Sequence, residues 1–168
     1  MAGPASDRPW MPGYGVLPAS EGSGLIAWAE AERRLTVSHD YWCATVRPDG
    51  APHVMPVWGV WLGERLWFSS GLQSRKARNL AADPRCTLTT DDAVDPVVVE
   101  GVAEQVTDRD AIEPFRLAVN AKYDADLTAD FLDPAVNGSY AVRPMRAFAL
   151  NHDDFTGSPT RWRFPHSG

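Results

Sequence analysis

Leu66-Trp67-Phe68-Ser69-Ser70-Gly71-Leu72-Gln73-Ser74-Arg75-Lys76-Ala77-Arg78-Asn79-Leu80 changes character half-way along. Its first five residues are short, aromatic and bounded by turn formers, which reads as a β-strand. From Ser74 the pattern reads as a helix running to Ala82 and stopped by Asp83-Pro84. Ser74 is the natural N-cap, which places Arg75 and Lys76 in the first turn. The helix dipole disfavours cations there by about 0.3–1 kcal/mol each. Acidic residues are the usual choice, and the chain has 22 of them. Two adjacent cations make physical sense if an anion binds between them and the free backbone N–H groups. The alternative is a solvated basic helix start. No Walker loop or GxGxxG lies nearby, so neither a nucleoside triphosphate nor a Rossmann dinucleotide is indicated.

Outward from this stretch the chain reads mainly as strands. Tyr41 to Val46 is aromatic and β-branched, and Arg47-Pro48-Asp49-Gly50 is a turn signal. His53 to Trp61 follows as a strand interrupted by Pro56, which marks an edge, a bulge or backbone facing a ligand. Arg85 to Thr90 and Pro96 to Val106 are two more, the second so rich in valine that both faces should be covered. Asp108 or Glu113 caps a helix to about Tyr123, with Pro114 in its first turn or at a restart. Tyr140 to Leu150 is another strand, and Arg161 to Phe164 a short apolar-basic alternation. Leu25 to Leu35 carries the apolar stripe of a helix. Residues 1–24, rich in Pro, Gly and Ser, form an irregular arm, and residues 25–168 a single domain. Six or seven short antiparallel strands with two or three helices suggest a mainly β, α+β barrel, with a sandwich as the other architecture.

The totals exclude several classes. The chain has 168 residues, 44% hydrophobic and 23% charged, with a net charge of −6. This is a globular balance, and nucleic-acid binding, which needs a basic face, is not expected. No apolar run is long enough to span a membrane, and the first twenty residues lack a signal-peptide core. The sequence therefore reads as cytoplasmic. Cys43 and Cys86 have no metal or redox spacing and read as small buried side chains.

The other chemistry-bearing residues are weaker. Trp58, Trp61, Trp67 and Phe68 form either barrel core and interface or a wall over a planar ring. Ser38-His39-Asp40 invites a catalytic reading, but strand neighbours point to opposite faces, so His39 and Asp40 should not meet. His53 is either a packed or surface histidine or a pocket residue that donates a proton. His152 and His166 sit in the tail without metal-ligand spacing. Lys122 near a helix C-terminus is favourable without any ligand. Asp91, Asp92, Asp95, Asp124, Asp126 and Asp130 read as solvated loop charge.

Ser74-Arg75-Lys76 after a strand ending Phe-Ser-Ser resembles the phosphate-binding motif of the pyridoxamine 5′-phosphate oxidase-like split β-barrel proteins. The wider frame Ser74-Arg75-Lys76-x-x-Asn79-Leu80-x-x-Asp83-Pro84-Arg85 resembles their flavin/deazaflavin oxidoreductase branch. Val119-Asn120-Ala121-Lys122-Tyr123 and Thr160-Arg161-Trp162-Arg163-Phe164 support the likeness, which covers about Tyr41 to Phe164. The resemblance implies a homodimer of antiparallel split β-barrels with cofactor sites at the subunit interface. It implies FMN or the deazaflavin coenzyme F420 as cofactor, with haem in a few members. Carried over, Arg75 and Lys76 hold the cofactor phosphate, with Ser69, Ser70 and Ser74 nearby. The backbone of Met55, Pro56 and Val57 runs along the ring edge, and Trp162 and Arg163 approach from the second subunit. Lys122 falls near the anionic tail.

Two departures bear on the activity. The substrate-phosphate residues of true pyridoxamine-phosphate oxidases are not recognisable. Pro96-Val97-Val98 stands where many FMN members carry glutamine. The resemblance therefore implies hydride transfer from reduced F420 to a small conjugated acceptor. An FMN-dependent oxidase or reductase is the alternative, and a non-catalytic flavin or haem binder a further one.

Overall fold

The computed structural model describes residues 3–165. Eight strands and three α-helices occur among them. In chain order they are β1 (Ala5–Asp7), α1 (Trp28–Val37), β2 (Asp40–Val46), β3 (Pro52–Leu62), β4 (Arg65–Gly71), α2 (Arg75–Ala82), β5 (Arg85–Thr90), β6 (Val97–Val106), α3 (Arg109–Tyr123), β7 (Asn137–Ala149) and β8 (Thr160–Arg163). Six of the strands close an antiparallel barrel in the order β7-β4-β3-β2-β5-β6, with β6 returning to β7. The barrel answers the sequence expectation; the sandwich does not. β8 and β1 extend it as a flap from the second half of β7.

The interior follows from alternation along the strands. Tyr41 and Cys43 of β2, Leu66 and Phe68 of β4, Leu88 of β5, and Val97 and Val99 of β6 are fully or almost fully buried. Each large apolar side chain removed from water in this way contributes about 1.5–3 kcal/mol. β6 is covered on one face only: Val98 and Val102 are half-buried and Glu100 is exposed. The valine-rich run therefore alternates after all, because its outer side faces no helix. A second, smaller core of Val60, Ile112, Phe115, Val119 and Leu132 lies beneath α3.

Several boundaries reflect local chemistry. Asp108 caps α3 by accepting from the Asp110 N–H at 3.0 Å, and Pro114 lies in the second turn of an unbroken helix. The missing proline N–H leaves one carbonyl without its helical partner, which the buried Ile112-Phe115-Val119 face outweighs. Between Glu100 and Gly101 the register to β7 shifts, skipping Met145. Pro144 stands at this bulge, where a strand tolerates it. Gly101 allows it: a Cβ there would sit 2.5 Å from the Arg143 carbonyl oxygen. The arm is not wholly irregular, since Ala5–Asp7 pairs with β8 and Asp7 binds both Arg161 and Arg163.

Candidate cofactor cleft

The register of β3 defines the cleft. Pro52 to Trp58 pairs with β2, whereas Gly59 to Leu62 pairs with β4. The strand changes partner between Trp58 and Gly59, so the first seven residues present one edge that no described strand covers. Across the gap stands the end of β4, Ser69-Ser70-Gly71, held on its other side by Ser139, Gly138 and Asn137 of β7. Met55, Pro56 and Val57 lie in the middle of the free edge. Pro56 thus interrupts its strand where the backbone has no neighbour to bond.

α2 closes the bottom of this gap. Ser74 caps it as the sequence predicts, accepting from the Ala77 N–H at 3.1 Å, and its Oγ lies 2.8 Å from Ser70 Oγ. The Ala77 and Leu80 stripe turns inward. Asn79, wholly buried, donates to Thr45 Oγ1 at 3.0 Å and anchors the helix on β2. That geometry carries Lys76 inward too. It is only 9% exposed, with Nζ 5.8 Å from the Phe68 ring centroid and 3.4 Å from Ser70 Oγ. Burial holds its ammonium below the ordinary lysine range. Arg75 stays at the surface.

Charge is one-sided here. No described carboxylate lies within ion-pair distance of Arg47, Arg75 or Lys76, although most arginines elsewhere are paired. His53 feels this: desolvation, then Arg47, Lys76 and Arg75, push its imidazole below the usual value. Its neutral form dominates near pH 7, which suits a hydrogen-bond donor better than an acid. His53 Nδ1, Asn79 Oδ1 and Ser139 Oγ are buried and unpartnered. Buried polar atoms without partners are rare. Unpaired cations, two facing serine hydroxyls and a helix N-terminus fit a phosphate, and the free edge of β3 fits the polar rim of a planar ring.

The structure gathers Met55, Pro56, Val57, Ser69, Ser70, Ser74, Arg75 and Lys76 around one gap, with His53 beside them. It does not bring Trp162 and Arg163 there within the chain. Trp162 is 1% exposed and packs edge-on to Trp28 at 5.4 Å, in the chain's own core. Arg163 binds Asp7 at 2.9 Å and lines a groove of about 800 Å³ on the outer side of the barrel. That groove, bordered by Val46, Pro52, Thr87, Glu100, Val102 and Arg146, holds none of the cations of α2.

The remaining residues resolve structurally. Trp61 donates to Glu32 at 3.0 Å and Trp67 stacks on Phe115. Phe68 is barrel core, whereas Trp58 is half exposed. The expectation that His39 and Asp40 diverge is wrong: His39 Nδ1 lies 3.1 Å from Asp40 Oδ2, because His39 occupies the bend before β2 rather than extended strand. Ser38 Oγ turns to Asp91 at 2.7 Å instead, so no hydroxyl–imidazole pair forms. Cys43 and Cys86 are free and buried, and burial pushes the Cys43 thiol up to about 12. No group of three potential metal ligands occurs among the described residues, and His166 lies outside them. No helix there is long and apolar enough to cross a membrane.

The family model described as Pyridoxamine 5′-phosphate oxidase matches residues 28–152. The chain belongs to this family. An F420 reductase structure is 33% identical, covers 69% of this chain and 94% of its own, and superposes with a TM-score of 0.58. The conserved hypothetical protein Rv2991 from Mycobacterium tuberculosis is 24% identical, with 85% and 91% coverage and a TM-score of 0.63. A heme binding protein from Mycobacterium smegmatis is 21% identical, with 79% and 61% coverage and a TM-score of 0.56. No curated protein matches the chain. The family is one of flavin-type oxidoreductases, and the matched span contains the whole cleft, from β3 through α2 to β7.

Proposed function

We propose that the chain is an F420-dependent oxidoreductase that works as a homodimer and reduces a small, flat, conjugated acceptor. The observation that carries this reading is the unpaired Arg75–Lys76 couple at the mouth of a cleft edged by free backbone. Lys76 Nζ, the α2 N–H groups and the Ser70 and Ser74 hydroxyls grip the phosphate. Around Met55, Pro56 and Val57 the groups turned to the open edge are the Pro56 carbonyl and the N–H and C=O of Val54 and Trp58, which offer donors and acceptors to the ring edge, while Met55 and Val57 bond to β2. The bound reduced deazaflavin supplies the hydride; the protein orients it and keeps water from its face. No side chain has to act as nucleophile, in keeping with the absence of a Ser–His pair at Ser38-His39. A second copy covering the outer face would bury Trp42, Val46 and Val54, each at least 36% exposed, and would bring its own Arg163 toward the cleft.

Support for F420 comes from the reductase at 33% identity and from Pro96-Val97-Val98 standing where many FMN members carry glutamine. FMN is the second reading, because the cation cluster reads only the phosphate. Titration of the purified chain with F420 and FMN, followed by tryptophan quenching, decides between them. Micromolar quenching by F420 is the expected result. Quenching by FMN alone moves the assignment to an FMN enzyme, and a Soret band on adding haem, with neither flavin bound, makes the chain a haem carrier.

A further inference from the structure

Gly59 is the hinge of the cleft. Here β3 leaves β2 and joins β4, and the backbone N–H and C=O of Gly59 turned toward β2 have no strand residue to meet. Two adjacent side chains from the end of α3 meet them instead. The Gly59 N–H donates to Tyr123 Oη at 2.9 Å, and Tyr123 Oη in turn donates to the His39 carbonyl. The hydroxyl thus replaces the next rung of the β2–β3 ladder. The Gly59 carbonyl accepts from Lys122 Nζ at 2.7 Å, and Nζ also reaches Tyr41 Oη at 3.2 Å.

The assembly is tightly built. Lys122 Nζ lies 4.7 Å from the Tyr41 ring centroid and 5.3 Å from that of Tyr123. Tyr123 stacks on Trp58 at 4.4 Å with the rings 7° apart, and His39 meets its edge at 5.2 Å. A Cβ on Gly59 would lie 2.9 Å from the Trp67 carbonyl oxygen and 3.0 Å from the Tyr41 ring, so only glycine lets the strands cross over here. Asp40 and Asp91 are the nearby acids, and neither forms an ion pair with Lys122. The half-buried ammonium spends its donors on backbone and phenol rather than on a carboxylate.

We propose that Lys122 and Tyr123 are positioning residues for the cleft: by binding both free backbone groups of Gly59 they fix where β3 parts from β4. They thereby place the open edge Pro52–Trp58 for the cofactor ring. This rests on the F420 or FMN reading of the cleft, and it gives α3 a role in binding although it touches neither Lys76 nor Ser70.

The test uses the full chain as wild type, Lys122→Met, Lys122→Arg and Tyr123→Phe. Affinity for F420 and for FMN is read by fluorescence quenching, with thermal midpoints alongside. Lys122→Met should weaken binding of whichever cofactor the wild type takes by about tenfold, the effect of one lost buried hydrogen bond. Lys122→Arg, which keeps a donor, should restore most of it. The midpoint of Lys122→Met should be no lower than wild type, since a buried charge has gone. Unchanged affinity in both Lys122→Met and Tyr123→Phe overturns the proposal, as does a loss that tracks a lowered midpoint and ignores arginine. Backbone hydrogen exchange needs no cofactor and separates the two readings. Peptides spanning residues 52–62 should exchange faster in Lys122→Met and Tyr123→Phe while β5 and β6 keep their protection, and equal exchange there overturns the junction itself. A wild type that binds neither cofactor sinks the functional reading and leaves the hinge to be judged by exchange alone.

Discussion

Lys76 lies against the end of β4 and Lys122 at Gly59, where β3 changes partner, and they differ in what their ammonium groups do. Both are largely withdrawn from water, and burial depresses both. Lys122 has strong acceptors, a carbonyl at 2.7 Å and a phenol at 3.2 Å. Lys76 has one marginal contact, at 3.4 Å, with a serine hydroxyl. A buried cation satisfied by its own chain is part of the architecture; one left unsatisfied is waiting for a ligand. The contrast supports reading Lys122 as structural and Lys76 as the lysine that the proposed cofactor site uses.

The largest effect expected from breaking it is at Lys76. Lys76→Ala should weaken binding of the phosphate-bearing cofactor by about 1.5–3 kcal/mol, the value of a charge-assisted contact. Its thermal midpoint should hold or rise, because an unfavourable cation leaves the first turn of α2. An isothermal titration that finds unchanged affinity ends the anion-site assignment. Next is Gly59→Ala, whose Cβ has no room between Trp67 and Tyr41. It should cost about 1–3 kcal/mol of stability by overpacking, seen in urea unfolding, and should impair binding as well.

A pH profile sharpens the comparison further. Lys122 titrates near 8 in the folded chain against about 10.4 unfolded. Between those values the unfolded state holds the extra proton, so stability should rise with pH across this window. The slope is on the order of 1 kcal/mol per pH unit, until tyrosine ionisation sets in near ~10. Denaturant midpoints from pH 7.5 to about 10 should show the rise in wild type and a flatter curve in Lys122→Met. Saturating phosphate should flatten the part owed to Lys76 and leave that of Lys122. The smallest effect is on His53. Removing the Lys76 charge should raise its imidazole midpoint slightly, measurable by NMR, because that cation is one cause of its depression.

The sequence carried much of this in plain view. The strand-to-helix switch from Phe68 to Leu80, the Ser74 cap and the proline at 56 are local signals, and local signals survive into the fold. Even the misplacement of cations at a helix start was readable, since it needs only the dipole and a count of acids. What was hidden depends on register. Nothing in His53 to Trp61 says that the strand changes partner after Trp58, because pairing is decided by residues far along the chain. Lys122 and Tyr123 looked like an ordinary basic helix end for the same reason, their target being a backbone group 63 and 64 residues away. His39 misled through a single local error: an extended reading takes it as strand-like chain, whereas it sits in the bend before β2, which begins at Asp40. The valines of β6 misled because composition cannot tell a face covered by a helix from one left bare.

The open edge from Pro52 to Trp58 has a consequence for handling the protein. A row of unpaired backbone groups is a template on which another chain can add a strand, and natural sheets guard such rows. Two prolines, Pro52 and Pro56, stand in it, and neither can donate a hydrogen bond to an incoming strand. They guard against self-association in an edge that the proposed function requires to stay open. Replacing Pro56 with a β-branched residue should therefore show first as concentration-dependent aggregation of the ligand-free protein, with cofactor suppressing it by occupying the row.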